Sequence, residues 1–116
     1  MIFIIDDDLT MAKCIKRACR EHEVRIFSNA ILAMDALSEE LPEMIFLDVL
    51  LSGPDGFTFL NELVSYADTM KIPVVIVSSL NFKNQDLSEY GVVGILDKST
   101  MMPEEIYSYA EKYARC

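Results

Sequence analysis

Short apolar runs, each closed by polar or turn-forming residues, set the rhythm of this chain. Ile2-Phe3-Ile4-Ile5 stops at Asp6-Asp7-Asp8. Met44-Ile45-Phe46-Leu47 stops at Asp48 and a loop carrying Gly53, Pro54 and Gly56. Val74-Val75-Ile76-Val77 stops at Ser78-Ser79. Runs of this length, bounded by turn signals, read as strands buried on both faces. They give strands over Ile2–Asp6, Met44–Asp48 and Val74–Val77, to which Val24–Phe27 and Val92–Leu96 add a second and a fifth.

Between the strands the apolar period changes from continuous to helical. Thr10 to about Glu21 carries the stripe Met11, Cys14, Ile15, Ala18 and Cys19, with Asp7 or Asp8 where a cap favours the helix start. Ser28 or Asn29 caps a second helix with the stripe Ala30, Ala33, Met34, Leu37 and Leu41, ended by Pro42. A third follows Gly56, with Leu60, Leu63, Val64 and Ala67 inward. Pro103 suits the first turn of a last helix, with Ile106, Tyr109, Ala110 and Tyr113 as its stripe. Asn81–Tyr90 is the weakest segment, with only Phe82 and Leu87 as apolar anchors, and a short, mobile helix is expected there.

Five strands alternating with five helices imply an α/β fold, because parallel neighbours need crossover connections. The expectation is a doubly wound five-stranded parallel sheet with helices on both faces, forming one domain over residues 1–116. Strand ends at the carboxyl rim of such a sheet are where chemistry sits. Asp6-Asp7, Asp48 and Ser78 all fall there, and they make one polar site if their strands lie side by side. Taken alone, Asp48 fits equally well an aspartate that merely ends a strand or caps the next helix.

Composition narrows the function. The chain has 116 residues, 52% of them hydrophobic, which is enough for one buried core. Mean hydropathy is +0.24, yet no apolar stretch approaches the ~18–20 residues of a membrane span. The four-residue apolar start runs into three aspartates and does not resemble a signal peptide. A net charge of -9 lacks the basic footprint of a nucleic-acid binder. Cys14, Cys19 and Cys116 show no metal-ligand spacing, and Cys14 and Cys19 are too far apart on a helix to bridge. Reduced thiols and a cytoplasmic location are expected.

With these residues in view, the whole chain resembles a response-regulator receiver domain, the phospho-accepting module of two-component signalling, with a flavodoxin-like fold. The resemblance rests on Asp6-Asp7 after the first strand, Asp48 after the third with Asp55-Gly56 downstream, Ser78 after the fourth and Lys98 after the fifth. It implies that Asp48 is the phosphoacceptor, taking a phosphoryl group from a sensor histidine kinase or phosphotransfer protein. It implies Mg²⁺ held by Asp6, Asp7, Asp48 and the backbone carbonyl of Leu50. Ser78 and Lys98 would each contact a phosphoryl oxygen. The module would be a switch and not a metabolic enzyme, with at most self-phosphorylation and self-dephosphorylation. Its output would pass to a downstream protein target or a second copy of itself. Asp8 is expected to be a cap or a solvated charge, His22 a polar residue at a helix end, and Tyr107 a surface residue.

The chain departs from the family pattern in places. Ser52 stands where a proline is usual, with Pro54 later; Ser99 replaces the proline after the lysine; Ile95 takes the place of a switch aromatic. A non-proline after Lys98 implies a trans peptide bond there, since cis would cost ~2.5–4 kcal/mol. The interval from Ser78 to Lys98 is slightly short, so the fourth helix is cut back. Two alternatives start from the same residues. One is a pseudo-receiver that binds a partner without phosphorylation. The other is a haloacid-dehalogenase-type phosphatase, whose nucleophile motif fits Asp6-Asp7-Asp8-Leu9-Thr10 but leaves Asp48 and Asp55-Gly56 without a role.

Overall fold

The computed structural model describes residues 1–49, 56–79 and 87–114. Five strands, β1 (Ile2–Ile5), β2 (Val24–Phe27), β3 (Met44–Leu47), β4 (Val74–Ser78) and β5 (Val92–Asp97), form one sheet. All neighbours are parallel, in the order β2-β1-β3-β4-β5. The described helices are α1 (Leu9–Ala18), α2 (Ala30–Leu37), α3 (Gly56–Val64) and α4 (Pro103–Tyr113). The doubly wound parallel sheet expected from the sequence is therefore the fold.

The continuous apolar runs of β1, β3 and β4 follow from their central position: every residue of these three strands is buried. Edge strands β2 and β5 are only partly covered. Alternate residues feed opposite cores. Phe3, Ile5, Ile45, Leu47, Val74 and Ile76 pack with α2 and α3. Ile2, Ile4, Met44, Phe46, Val75 and Val77 pack with α1 and α4. Phe3, Phe46 and Phe59 are among the largest fully buried side chains, each contributing ~1.5–3 kcal/mol by leaving water.

Several element expectations need correcting. Four α-helices are found among the described residues, and most of the segment expected to hold the other lies outside them. Among the described residues, a 3₁₀ turn, Ser88–Tyr90, precedes β5, closed by Gly91 at φ 77, a left-handed conformation suited to glycine. The rest of the weak segment, 81–86, lies outside the described residues. In α1 the expected stripe holds at Ile15, Ala18 and Cys19, which are buried, and at Met11, which packs against the core; Cys14 alone is exposed, and Ala12 is buried in its place. α2 stops at Leu37, ahead of Pro42, because Glu39 and Glu40 both donate backbone N–H groups to the Ala36 carbonyl and Ser38 Oγ bonds the Asp35 carbonyl at 2.6 Å. Leu41 is consequently exposed. On α3, Phe59 joins Leu60 and Leu63 in the core, while Ala67 falls beyond the helix end and is exposed. On α4 only Ile106 and Ala110 are fully buried, and the rings of Tyr109 and Tyr113 stack at its margin.

Candidate functional site

The register brings the polar strand ends together. Ile5 is paired with Leu47, so the residues that follow, Asp6 and Asp48, stand beside each other at the carboxyl rim. The ladder runs one step further: Asp6 N donates to the Phe27 carbonyl at 3.0 Å and Asp48 N to the Ile5 carbonyl at 2.9 Å. Each carboxylate is thereby fixed at its backbone. β4 lies next to β3, with the fully buried Ser78 at its end, paired in register with Asp97. At this switch point of the strand order, open sheets of this kind bind ligands.

Asp6 and Asp48 are 2% and 4% exposed, unusually low for carboxylates. Burial pushes the Asp6 carboxyl above its ordinary pKa, although the Asp8 amide and the Lys98 charge both work against the rise. Asp8 N donates to Asp6 Oδ1 at 2.9 Å. Oδ2 is buried without an aligned hydrogen-bond donor, even though the Lys98 ammonium is 3.2 Å away. Asp7 is exposed, and one oxygen each from Asp6, Asp7 and Asp48 lie within 4.8 Å of one another. An all-oxygen donor set of this size, with one buried oxygen left over, fits a hard divalent cation. Asp8 turns away to cap α1, accepting from Met11 N at 3.2 Å.

Lys98 reaches the same carboxylates from β5. Its Nζ donates to Asp48 Oδ2 at 2.9 Å and lies 3.2 Å from Asp6 Oδ2. Burial works to lower the lysine pKa, but its hydrogen bonds and ion pairs with Asp48 and Asp6 outweigh this and raise it. Lys98 N donates to the Ser78 carbonyl at 3.1 Å, which ties the end of β5 to the end of β4. No cis peptide bond occurs among the described residues, so Lys98–Ser99 is trans. From its place in the sequence, Asp97 could be taken for an ion-pair partner of the adjacent Lys98. Its Oδ1 instead accepts from Ser99 N at 2.8 Å and from Ser99 Oγ at 2.6 Å. An acidic residue two positions before a serine is the signal of such a turn.

Val49 and Gly56 are held close together. Gly56 N donates to the Val49 carbonyl at 3.1 Å, and a Cβ on Gly56 would stand 2.4 Å from Val49 Cα. Only glycine allows α3 to begin so near Asp48. Leu50, expected to offer its carbonyl to a metal, lies outside the described residues, as does Asp55. Away from the site, His22 Nε2 and Glu111 Oε2 are 2.9 Å apart, and Tyr107 donates to Glu21 at 2.9 Å; both contacts tie the end of α1 to α4.

Residues 2–111 match the response regulator receiver domain family. A protein-glutamate methylesterase/protein-glutamine glutaminase from Pseudomonas syringae pv. tomato is 34% identical over 107 residues, 85% of this chain but 29% of that protein. The chain thus spans under a third of the length of this curated relative. Among solved structures, the receiver domain of NtrX from Brucella abortus superposes with a TM-score of 0.84 at 23% identity, covering 98% of both chains. The phosphorylated cyanobacterial phytochrome response regulator RcpA superposes with a TM-score of 0.81 at 25% identity, covering 97% of this chain and 91% of that one. With its sheet order, its rim of strand-end aspartates and a match over nearly its whole length, this chain belongs to the family of response regulator receiver domains of two-component signalling.

Proposed function

We propose that Asp48 accepts a phosphoryl group from a phosphohistidine donor, a sensor kinase or a phosphotransfer protein, and that the domain works as a phosphorylation-dependent switch. The observation that carries this reading is the Lys98 ammonium lying between the Asp48 and Asp6 carboxylates at a buried strand rim.

Asp6, Asp7 and Asp48 would hold Mg²⁺, for which their oxygens are suited. When bound, the ion would draw the phosphoryl oxygens toward the carboxylates and offset their charge. A carboxylate oxygen of Asp48 attacks the phosphorus in line. The P–N bond to the donor imidazole breaks, its electron pair returning to the ring nitrogen. Lys98 then exchanges a carboxylate oxygen for a phosphoryl oxygen, and the Ser78 hydroxyl donates to another. Water attacking the phosphorus later restores the Asp48 carboxylate and releases inorganic phosphate. The phosphorylated state of the RcpA relative accords with this chemistry.

The signal would pass to a downstream protein or a second copy of the chain, in the cytoplasm where such kinases act. The domain would not itself be a metabolic enzyme; the methylesterase named among its relatives is more than three times as long as the shared region. Acetyl phosphate with Mg²⁺ should add one phosphate, seen as a mass increase that chelation or Asp48→Asn abolishes. Label retained in Asp48→Asn, or found on Asp6, would overturn the assignment. No uptake from any donor would leave the phosphorylation-independent binding module.

A further inference from the structure

We propose that Asp97 is a positioning residue for Lys98, doing in this chain what a proline after the lysine would otherwise do. The inference rests on the reading of Lys98 given above. Lys98 is flanked by two peptide planes, and both are pinned. The plane before it is held by Lys98 N donating to the Ser78 carbonyl at 3.1 Å. The plane after it is held by Ser99 N donating to Asp97 Oδ1 at 2.8 Å. Because peptides are planar, fixing both neighbours fixes the two backbone torsions of Lys98 and hence the direction in which its side chain leaves.

A proline at position 99 would have no N–H to donate. Ser99 has one, and Asp97 takes it. Ser99 Oγ adds a second bond to the same oxygen at 2.6 Å. The Asp97 carbonyl also accepts from Thr100 N at 3.1 Å and Met101 N at 2.8 Å, which bends the chain toward α4. The turn is anchored on the sheet, since Asp97 is the last residue of β5 and pairs with Ser78. Asp97 itself is exposed. Its effect on the site passes through the placement of Lys98.

Beryllofluoride, a phosphoryl mimic, probes Lys98, whereas Mg²⁺ alone probes the aspartates. Both affinities are measured by calorimetry on the whole chain, for wild type, Asp97→Ala, Asp97→Asn, Asp97→Glu and Lys98→Gln. Lys98→Gln should weaken beryllofluoride binding by about ten-fold or more. Asp97→Ala should weaken it by about ten-fold with Mg²⁺ affinity held within about two-fold. Asp97→Asn keeps an oxygen at the same reach and should recover most of the loss, while Asp97→Glu keeps the charge but overreaches Ser99 N and should behave like alanine. In the metal-free protein, the Ser99 amide should exchange faster in the alanine and glutamate variants only. A weakened Lys98→Gln beside a wild-type-like Asp97→Ala overturns the positioning role. Equal losses in Asp97→Asn and Asp97→Ala would make charge, not geometry, the cause and also overturn it. An unaffected Lys98→Gln would instead remove the reading on which it rests.

Discussion

Lys98 Nζ donates to Asp48 Oδ2 at 2.9 Å across fifty positions of sequence, the contact that closes the strand-end site. The pair is largely out of water, with Asp48 4% and Lys98 18% exposed at the side chain. Removing one partner of such a pair strands the other, and with Asp6 alongside two carboxylates are left facing each other. Lys98→Met should therefore destabilise the metal-free protein by about 3 kcal/mol, the lower end of the range because the lysine keeps some solvent. Saturating Mg²⁺ should shrink that deficit by supplying the missing positive charge. Urea unfolding with and without Mg²⁺ checks both; an equal deficit in the two conditions contradicts the metal assignment.

Asp8 offers a separation of roles within Asp6-Asp7-Asp8. Its carboxylate caps α1 through Met11 N and is not in the three-aspartate cluster. Asp8→Ala should cost about 1 kcal/mol of stability, as lost caps do. Mg²⁺ affinity should stay within about two-fold. A large fall in metal affinity, read by calorimetry, would make Asp8 a ligand.

The strand ends were legible in the sequence because each is an apolar run cut off by a charged or hydroxyl residue, a pattern that survives without knowledge of neighbours. Asp6, Asp48 and Lys98 are brought together by strand order alone, and the alternation of strands and helices already implied parallel pairing. Helix faces were less legible. The period placed Ile15, Ala18 and Cys19 inward in α1, but alanine and cysteine are both small and apolar, so it could not tell that Ala12 would be buried and Cys14 exposed. The Asp97 turn was missed for another reason. A carboxylate next to a lysine invites an ion-pair reading, whereas its partner is a backbone amide two residues on.

Gly56 sets how near α3 begins to the phosphoacceptor candidate. A methyl group there meets the Val49 backbone at 2.4 Å and the Asp48 carbonyl at 3.0 Å. Neither contact is the tip of a flexible side chain, so backbone has to move. Gly56→Ala should lose about 1–3 kcal/mol of stability. Because the displaced atoms adjoin Asp48, phosphate uptake from acetyl phosphate should also slow. A thermal melt and a phosphorylation time course on one preparation test the two effects. A variant as stable as wild type would show that the α3 start is looser than its contacts imply.

The two described cysteines should differ sharply in reactivity. Cys14 is on the exposed face of α1, whereas Cys19 is fully buried against the second core and burial pushes its thiol up to about 12. In a Cys116→Ser background, iodoacetamide at pH 8 should modify Cys14 readily and Cys19 only as fast as the protein opens. The same burial fixes the sign of a stability change at alkaline pH. An unfolded thiol ionises near 9, the folded one only near 12, so between these values the native state holds a proton that the unfolded state has lost. Stability then falls as pH rises from about 9 toward 12, because ionisation favours the unfolded chain. Below 9 the thiol is protonated in both states and contributes no slope. Cys19→Ala removes the thiol and should flatten that part of the stability profile relative to wild type, whatever it costs in packing at neutral pH. Urea midpoints collected from pH 8 to 10.5 on both proteins measure the difference in slope, and parallel curves would show that Cys19 ionises in place.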